Sequence, residues 1–141
     1  MLFQFSQRSE TVLNEIDDDL ARVLRRALQL GVMDFAAIDG ARDEAQQADL
    51  VRRGFSQTLD SKHVVKIEGQ KARAVDVLPY PTKVNGRSAW QDRDRLCRLA
   101  GVIQAAAAIE DVSIRWGGDW DGDGNNLDST FDDLYHYEML T

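Results

Sequence analysis

The sequence is short of several things, and each shortage removes a class of protein. It has one cysteine, Cys97, so an intramolecular disulfide is excluded and either redox compartment is permitted. Cys97 falls in an apolar helical stretch, where a thiol reads as a small core residue. Prolines number two, and no repeat, low-complexity tract or linker interrupts the chain. The most apolar segment, LAGVIQAAAAI, is too short to span a bilayer and is bounded by charges. The N-terminus, MLFQFSQRSE, lacks the basic start, apolar run and small-residue cleavage site of an export signal. Together these predict a chain with no stable membrane association that stays in the cytoplasm after synthesis. A target beyond the membrane would then require something else to let the chain across. Positive charge is also scarce: 17 Lys and Arg stand against 24 Asp and Glu, for a net charge of −7. Such a surface disfavours nucleic acid and anionic lipid as partners.

What is present is ordinary for a folded domain. The 141 residues are 43% hydrophobic and 29% charged, enough for one buried core and too apolar for global disorder. Residues 9–30 carry Leu13, Ile16, Leu20, Val23, Leu24, Ala27 and Leu28 at helical spacing, with a break expected near Asp17–Asp19 and a C-terminal cap at Gly31. MDFAAIDG fits a short strand. RDEAQQADLVRRG returns to helix, with acids in its first turn and arginines in its last. A strand at ARAVDVL is stopped by Pro79 and Pro81, and VNGRSAW contains an Asn-Gly turn. A long helix over 91–109 precedes the strands VSIRW and LYHYEML. Helices mixed with scattered short strands predict a small α+β domain spanning the whole chain, rather than a regular βαβ array.

Histidine is the scarcest residue that bears on chemistry. There are two, His63 in SKH and His136 in DLYHYE, so any histidine-dependent metal site must draw on both. Asp76, in AVDVL, places a carboxylate among apolar neighbours, where it needs a charged or hydrogen-bonding partner. Two imidazoles and a carboxylate form a common set for catalytic zinc, which keeps a fourth position for water. Such a site also needs a base. Asp133 lies three residues before His136 and Glu138 two after it. Strand alternation would put His136 and Glu138 on one face, whereas Asp133 is better placed if the chain turns just before the strand. Spacing leaves both open. The bland alternative is that these histidines are structural or surface residues.

The stretch DWDGDGNNLDST resembles a calcium loop. Asp119, Asp121 and Asp123 occupy ligand positions one, three and five, and Gly124 the sixth. The twelfth position is Thr130 instead of a bidentate Glu, and the chain leads toward a strand, not a helix. Calcium in the 119–132 loop would have to use Asp128 or Asp132 as a substitute.

SKH…GQKARAVDVLPY, IRWGGDWDGDG and DLYHYE together resemble the zinc peptidases of the D-Ala-D-Ala carboxypeptidase family, and within it the phage endolysins that cut the L-alanyl-D-glutamate bond of peptidoglycan. The family's Ser-x-His, Gly, Ala-x-Asp and acid-x-x-His pattern falls on Ser61, His63, Gly69, Ala74, Asp76, Asp133 and His136. IDGARDEAQQADLVRRGFSQT resembles its Gly-x-Arg and Gln/Leu helix, with Arg42 at the arginine. FSQRSETVL…LARVLRRAL resembles the opening helix of these endolysins, so the likeness covers nearly the whole chain.

The resemblance implies an antiparallel sheet flanked by helices, with one Zn2+ bound by His63, Asp76 and His136. It implies Asp133 as general base and proton donor, with Glu138 orienting a ligand histidine. Arg42 would stabilise the oxyanion and Ser61 would bind substrate; without the resemblance Arg42 reads as a helix-start surface residue. It further implies a monomer that waits in the host cytoplasm for a holin-like partner and then acts on stem peptides. Cleavage between D-Ala and D-Ala is the enzymatic alternative, and a non-catalytic calcium- or peptidoglycan-binding module the other. One departure stands out: twelve residues separate His63 from Asp76, more than in the family. A longer surface excursion accommodates them at small entropic cost, and Lys66, Glu68 and Lys71 within it are expected to reshape the substrate groove.

Overall fold

The computed structural model describes residues 2–56, 58–124 and 133–140. Helices α1 (Gln7–Glu15) and α2 (Asp18–Gln29) lead into strand β1 (Phe35–Asp39) and helix α3 (Glu44–Arg52). Strand β2 (Ala74–Pro79) follows, then a hairpin of β3 (Lys83–Val84) and β4 (Arg87–Ser88). Helix α4 (Arg93–Glu110), β5 (Ile114–Gly117) and β6 (Asp133–Met139) complete the order. The main sheet runs β1-β2-β6-β5 and every pairing in it is antiparallel. This is the small α+β domain expected.

Local chemistry explains the boundaries. Ser6, Asp17, Asp43 and Asp92 each accept a hydrogen bond from a first-turn amide, capping the four helices. Asp43 and Gln46 form a reciprocal capping box. The break expected near Asp17–Asp19 falls at Ile16–Asp17, and its cause is tertiary: Ile16 is extended and bridges Ala72. Asp17 N donates to the Ala72 carbonyl at 2.7 Å and Ala72 N to Glu15 O at 2.9 Å. The Asn-Gly signal marks a two-residue hairpin turn, with Asn85 and Gly86 both at positive φ as a type I′ turn requires.

Alternation along the two central strands decides what faces where. Val75 and Val77 of β2, with Tyr137 and Met139 of β6, join the core formed with Val12, Leu24, Leu99 and Ile103 of the helices. Helices α1, α2 and α4 therefore cover one face of the sheet. The intervening Asp76, His136 and Glu138 point to the other face and are nonetheless buried. Asp76 and His136 are direct cross-strand partners.

The long excursion after His63 does not do what its length suggested. Among the described residues, nothing between Val64 and Val75 lines the cleft on this second face. The excursion turns away, bridging Arg42 through Val64 and the α1–α2 junction through Ala72, while Lys71 pairs with Asp18 at 2.5 Å. Backbone pairing at both ends anchors it, and none of Lys66, Glu68 and Lys71 lines the cleft.

Candidate active site

The polar face carries a cleft of about 730 Å³, lined among others by Arg42, Ser61, Lys62, His63, Asp76, Trp90, Trp120, Asp133, Tyr135, His136 and Glu138. Three side chains converge at its base. His63 Nε2 lies 3.1 Å from Asp76 Oδ1 and 3.2 Å from His136 Nδ1, and His136 Nδ1 lies 3.3 Å from Asp76 Oδ1. All three residues are buried.

The far side of each imidazole is also occupied. His63 Nδ1 is 2.6 Å from the Gly40 carbonyl, and His136 Nε2 is 2.9 Å from Glu138 Oε1. Each of those nitrogens donates its proton outward, leaving the opposite nitrogen's lone pair facing Asp76. Two aligned lone pairs and a carboxylate oxygen, buried together at the foot of a cleft, suit a metal ion, so the donor set fits one. Without an ion the same cluster shares protons. Burial opposes charge on His136, but its hydrogen bonds to Asp76 and Glu138 outweigh this and raise its pKa to about 9. Burial likewise opposes ionisation of Asp76, and the two histidines overcome it, holding that carboxyl well below the usual range.

Glu138 therefore stands behind His136, not in front of the cluster. Burial disfavours its charge, yet His136 and Lys62 lower its pKa. Asp133 arrives by another route. Trp116 pairs with Tyr137 and Gly117 with Asp133, so one step along β5 is matched by four along β6. This bulge swings the start of β6 and places Asp133 on the cleft wall. Its Oδ1 is buried with no hydrogen-bond partner among the described residues. Burial and the nearby charge of Asp76 raise its pKa.

Arg42 is no surface residue. Its guanidinium is clamped by Asp39 at 2.6 and 2.9 Å and by Gln47 Oε1 at 3.0 Å, with Asp76 Oδ2 at 3.4 Å. A bulge between Ala37 and Asp39 in β1 turns Asp39 toward it. Ser61 lies on the cleft wall, its hydroxyl accepting from His63 N at 3.2 Å.

Several contributors escape residue-type reasoning. Trp120 lies over His136 with ring centroids 5.6 Å apart, and Trp90 meets Tyr135 edge-on at 4.8 Å. Gly40 contributes only a carbonyl, and Lys62 is hidden inside SKH. Buried Gln47 had a signal, as the polar residue on the inner face of α3.

The acidic loop forms a second cluster. Carboxylate oxygens of Asp119, Asp121 and Asp123 all lie within 4.8 Å of one another. Asp119 Oδ2 accepts from Gly124 N at 2.9 Å, and its Oδ1 is buried with no partner among the described residues. Asp128, Thr130 and Asp132 lie outside the described residues.

Fold and site together define a small α+β protein whose cleft has a His-Asp-His cluster at its base that could hold a metal ion. A family model for phage L-alanyl-D-glutamate peptidases matches residues 1–140, and the chain belongs to that family. The L-alanyl-D-glutamate peptidase of Escherichia phage T5 is 31% identical over 143 residues, covering 99% of this chain and all of that one. Among solved structures, the Serratia marcescens L-Ala D-Glu endopeptidase ChiX is 32% identical, with a TM-score of 0.74 over 97% of this chain and 90% of that one.

Proposed function

We propose that the chain is a zinc-dependent endolysin peptidase that cleaves peptidoglycan stem peptides between L-alanine and D-glutamate. The observation that carries this reading is two imidazole nitrogens and one carboxylate oxygen gathered at the cleft base, with Asp133 on the wall above. His63, Asp76 and His136 would hold the zinc. Once bound, zinc supplies Lewis acidity, lowering the pKa of water to roughly 7 and polarising the substrate carbonyl.

Everything else falls to the chain's own side chains. Asp133 takes the proton of the attacking water and returns it to the departing amine. A raised pKa suits it, because the same carboxyl must hold that proton between the two steps. Arg42, fixed by Asp39 and Gln47, offers a cation that needs no reorganisation as negative charge develops on the carbonyl oxygen. Ser61 hydrogen-bonds the substrate backbone at the cleft wall. Glu138 keeps the His136 ring in the orientation that directs Nδ1 inward.

Replacing Asp133 with Asn tests the assignment: zinc stays bound and hydrolysis is abolished. Full activity in that variant would remove Asp133 as base. Mass spectrometry of digested muropeptides tests the bond. Free D-glutamate amino termini are expected, whereas release of D-alanine alone would make the enzyme a carboxypeptidase.

The same reading treats residues 1–141 as a single catalytic domain acting as a monomer. It is held in the host cytoplasm until a holin-like partner opens the membrane. No helix among the described residues is long and apolar enough to cross a membrane. It also assigns Ca2+ to Asp119, Asp121 and Asp123, with Asp128, as an ion that holds the acidic loop. The buried Asp119 Oδ1, with no hydrogen-bond partner among the described residues and two further carboxylates beside it, supports this. A calcium titration that shifts neither melting nor activity would dismiss it.

A further inference from the structure

Lys62 has no part in the chemistry above, although it adjoins a ligand histidine and lines the same cleft. Residues 60–63 belong to no helix or strand. Backbone bonds hold them from behind: Arg42 N donates to His63 O and Arg73 N to Lys62 O, each at 2.8 Å. The Lys62 side chain reaches across to β6. Its ammonium donates to the Met139 carbonyl and lies 3.2 Å from Glu138 Oε2. The other oxygen of that carboxylate, Oε1, is the one 2.9 Å from His136 Nε2.

A single cation thus ties the loop that carries His63 to the strand that carries His136. Both oxygens of Glu138 are engaged, one by Lys62 and one by His136, so the carboxylate has a defined rotation. Glu138 and His136 are almost enclosed, while the Lys62 side chain is 32% exposed. Removing the ammonium would leave a shielded carboxylate with one partner fewer, free to turn away from the imidazole.

We propose that Lys62 is a positioning residue for the metal. It holds Glu138 so that Oε1 accepts the hydrogen bond of His136 Nε2–H, and this keeps Nδ1 directed at Asp76 and His63. The inference rests on the zinc reading of that cluster. It differs from a substrate-binding role, in which the ammonium would meet a carboxylate of the stem peptide. Two of its three N–H donors are already committed within the protein, to Met139 and Glu138.

The experiment compares zinc-loaded wild type, Lys62→Met, Lys62→Gln, Glu138→Gln and the Lys62→Met/Glu138→Gln double variant. Zinc content, the rate of zinc release to a chromogenic chelator, circular dichroism and KM are measured for each. Lys62→Met is expected to release zinc roughly 10- to 100-fold faster at unchanged KM, the range seen when an outer partner of a metal-ligand histidine is lost. Because Lys62 acts through Glu138, the double variant releases zinc no faster than Glu138→Gln alone. Release from Lys62→Met at the wild-type rate overturns the inference, as does a double variant whose two effects multiply. A raised KM with unchanged release makes Lys62 a substrate contact and equally overturns it. Should Lys62→Met fail to fold, Lys62→Gln decides by the same comparisons. Wild type that holds no zinc removes the metal reading and the inference together, whereas zinc-loaded wild type with equal release rates removes the inference alone.

Discussion

Alanine at position 117 would put its methyl carbon 2.1 Å from the carbonyl oxygen of Asp133, and 2.9 Å from that residue's carbonyl carbon and Cβ. Ordinary contact begins near 3.4 Å, and the obstructing atoms are backbone and a Cβ fixed to it, so no side-chain rotation relieves the clash. Strands β5 and β6 must separate here by more than about 1 Å, a displacement that costs on the order of 100-fold when it moves a reacting group. On the proposed role of Asp133 as base, Gly117→Ala should therefore lower kcat by roughly that factor. His136 lies beyond the bulge, paired directly with Asp76, so zinc content should fall far less. The assay pairs muropeptide release with metal analysis on the same preparation. Gly101→Ala is the control, since no described residue lies within 4 Å of its added carbon. Full kcat in Gly117→Ala would refute the claim that this close approach places Asp133.

Three further outcomes follow from the same structure. Gly101→Ala, on an exposed turn of α4, should stabilise the fold by about 0.5–1 kcal/mol in denaturant titration, with activity unchanged. Leu24→Ala, at a fully buried position of the helical core, should cost about 2–5 kcal/mol in the same assay. In the metal-free protein His136 is raised from 6.5 to about 9, so its contribution to stability is complete below the unfolded value and lost as pH rises through about 9. A metal must displace that proton, so apparent zinc affinity should climb up to about tenfold per pH unit and level off near pH 9. A flat affinity over that range would contradict the shared-proton cluster.

Much of the fold was legible because its causes are local. The apolar spacing of α2, the Asp caps and the Asn-Gly hairpin turn are each decided within a few residues. That His63, Asp76 and His136 gather into one cluster was legible through the scarcity of histidine and the family likeness. Strand parity alone correctly put Glu138 on the same face as His136. It did not show that Glu138 stands behind the ring, because that depends on which nitrogen faces Asp76. The expected groove loop after His63 failed for a related reason: its course is set by bridges to Arg42 and Ile16, which no local pattern encodes.

By itself the sequence determined the chain's class, its helices and strands, and the identities of the residues able to hold a metal. Tertiary structure alone decided the directions. Asp133 and His136 have opposite parity on one strand, and an unbroken strand would send them to opposite faces. The bulge against β5, permitted by the missing side chain at Gly117, brings both to the cleft. Likewise the carbonyl of Gly40 and the carboxylate of Glu138, 98 residues apart in the chain, turn two imidazoles so that their lone pairs converge on Asp76. Those are consequences of pairing between distant segments, and they exist only once the sheet has closed.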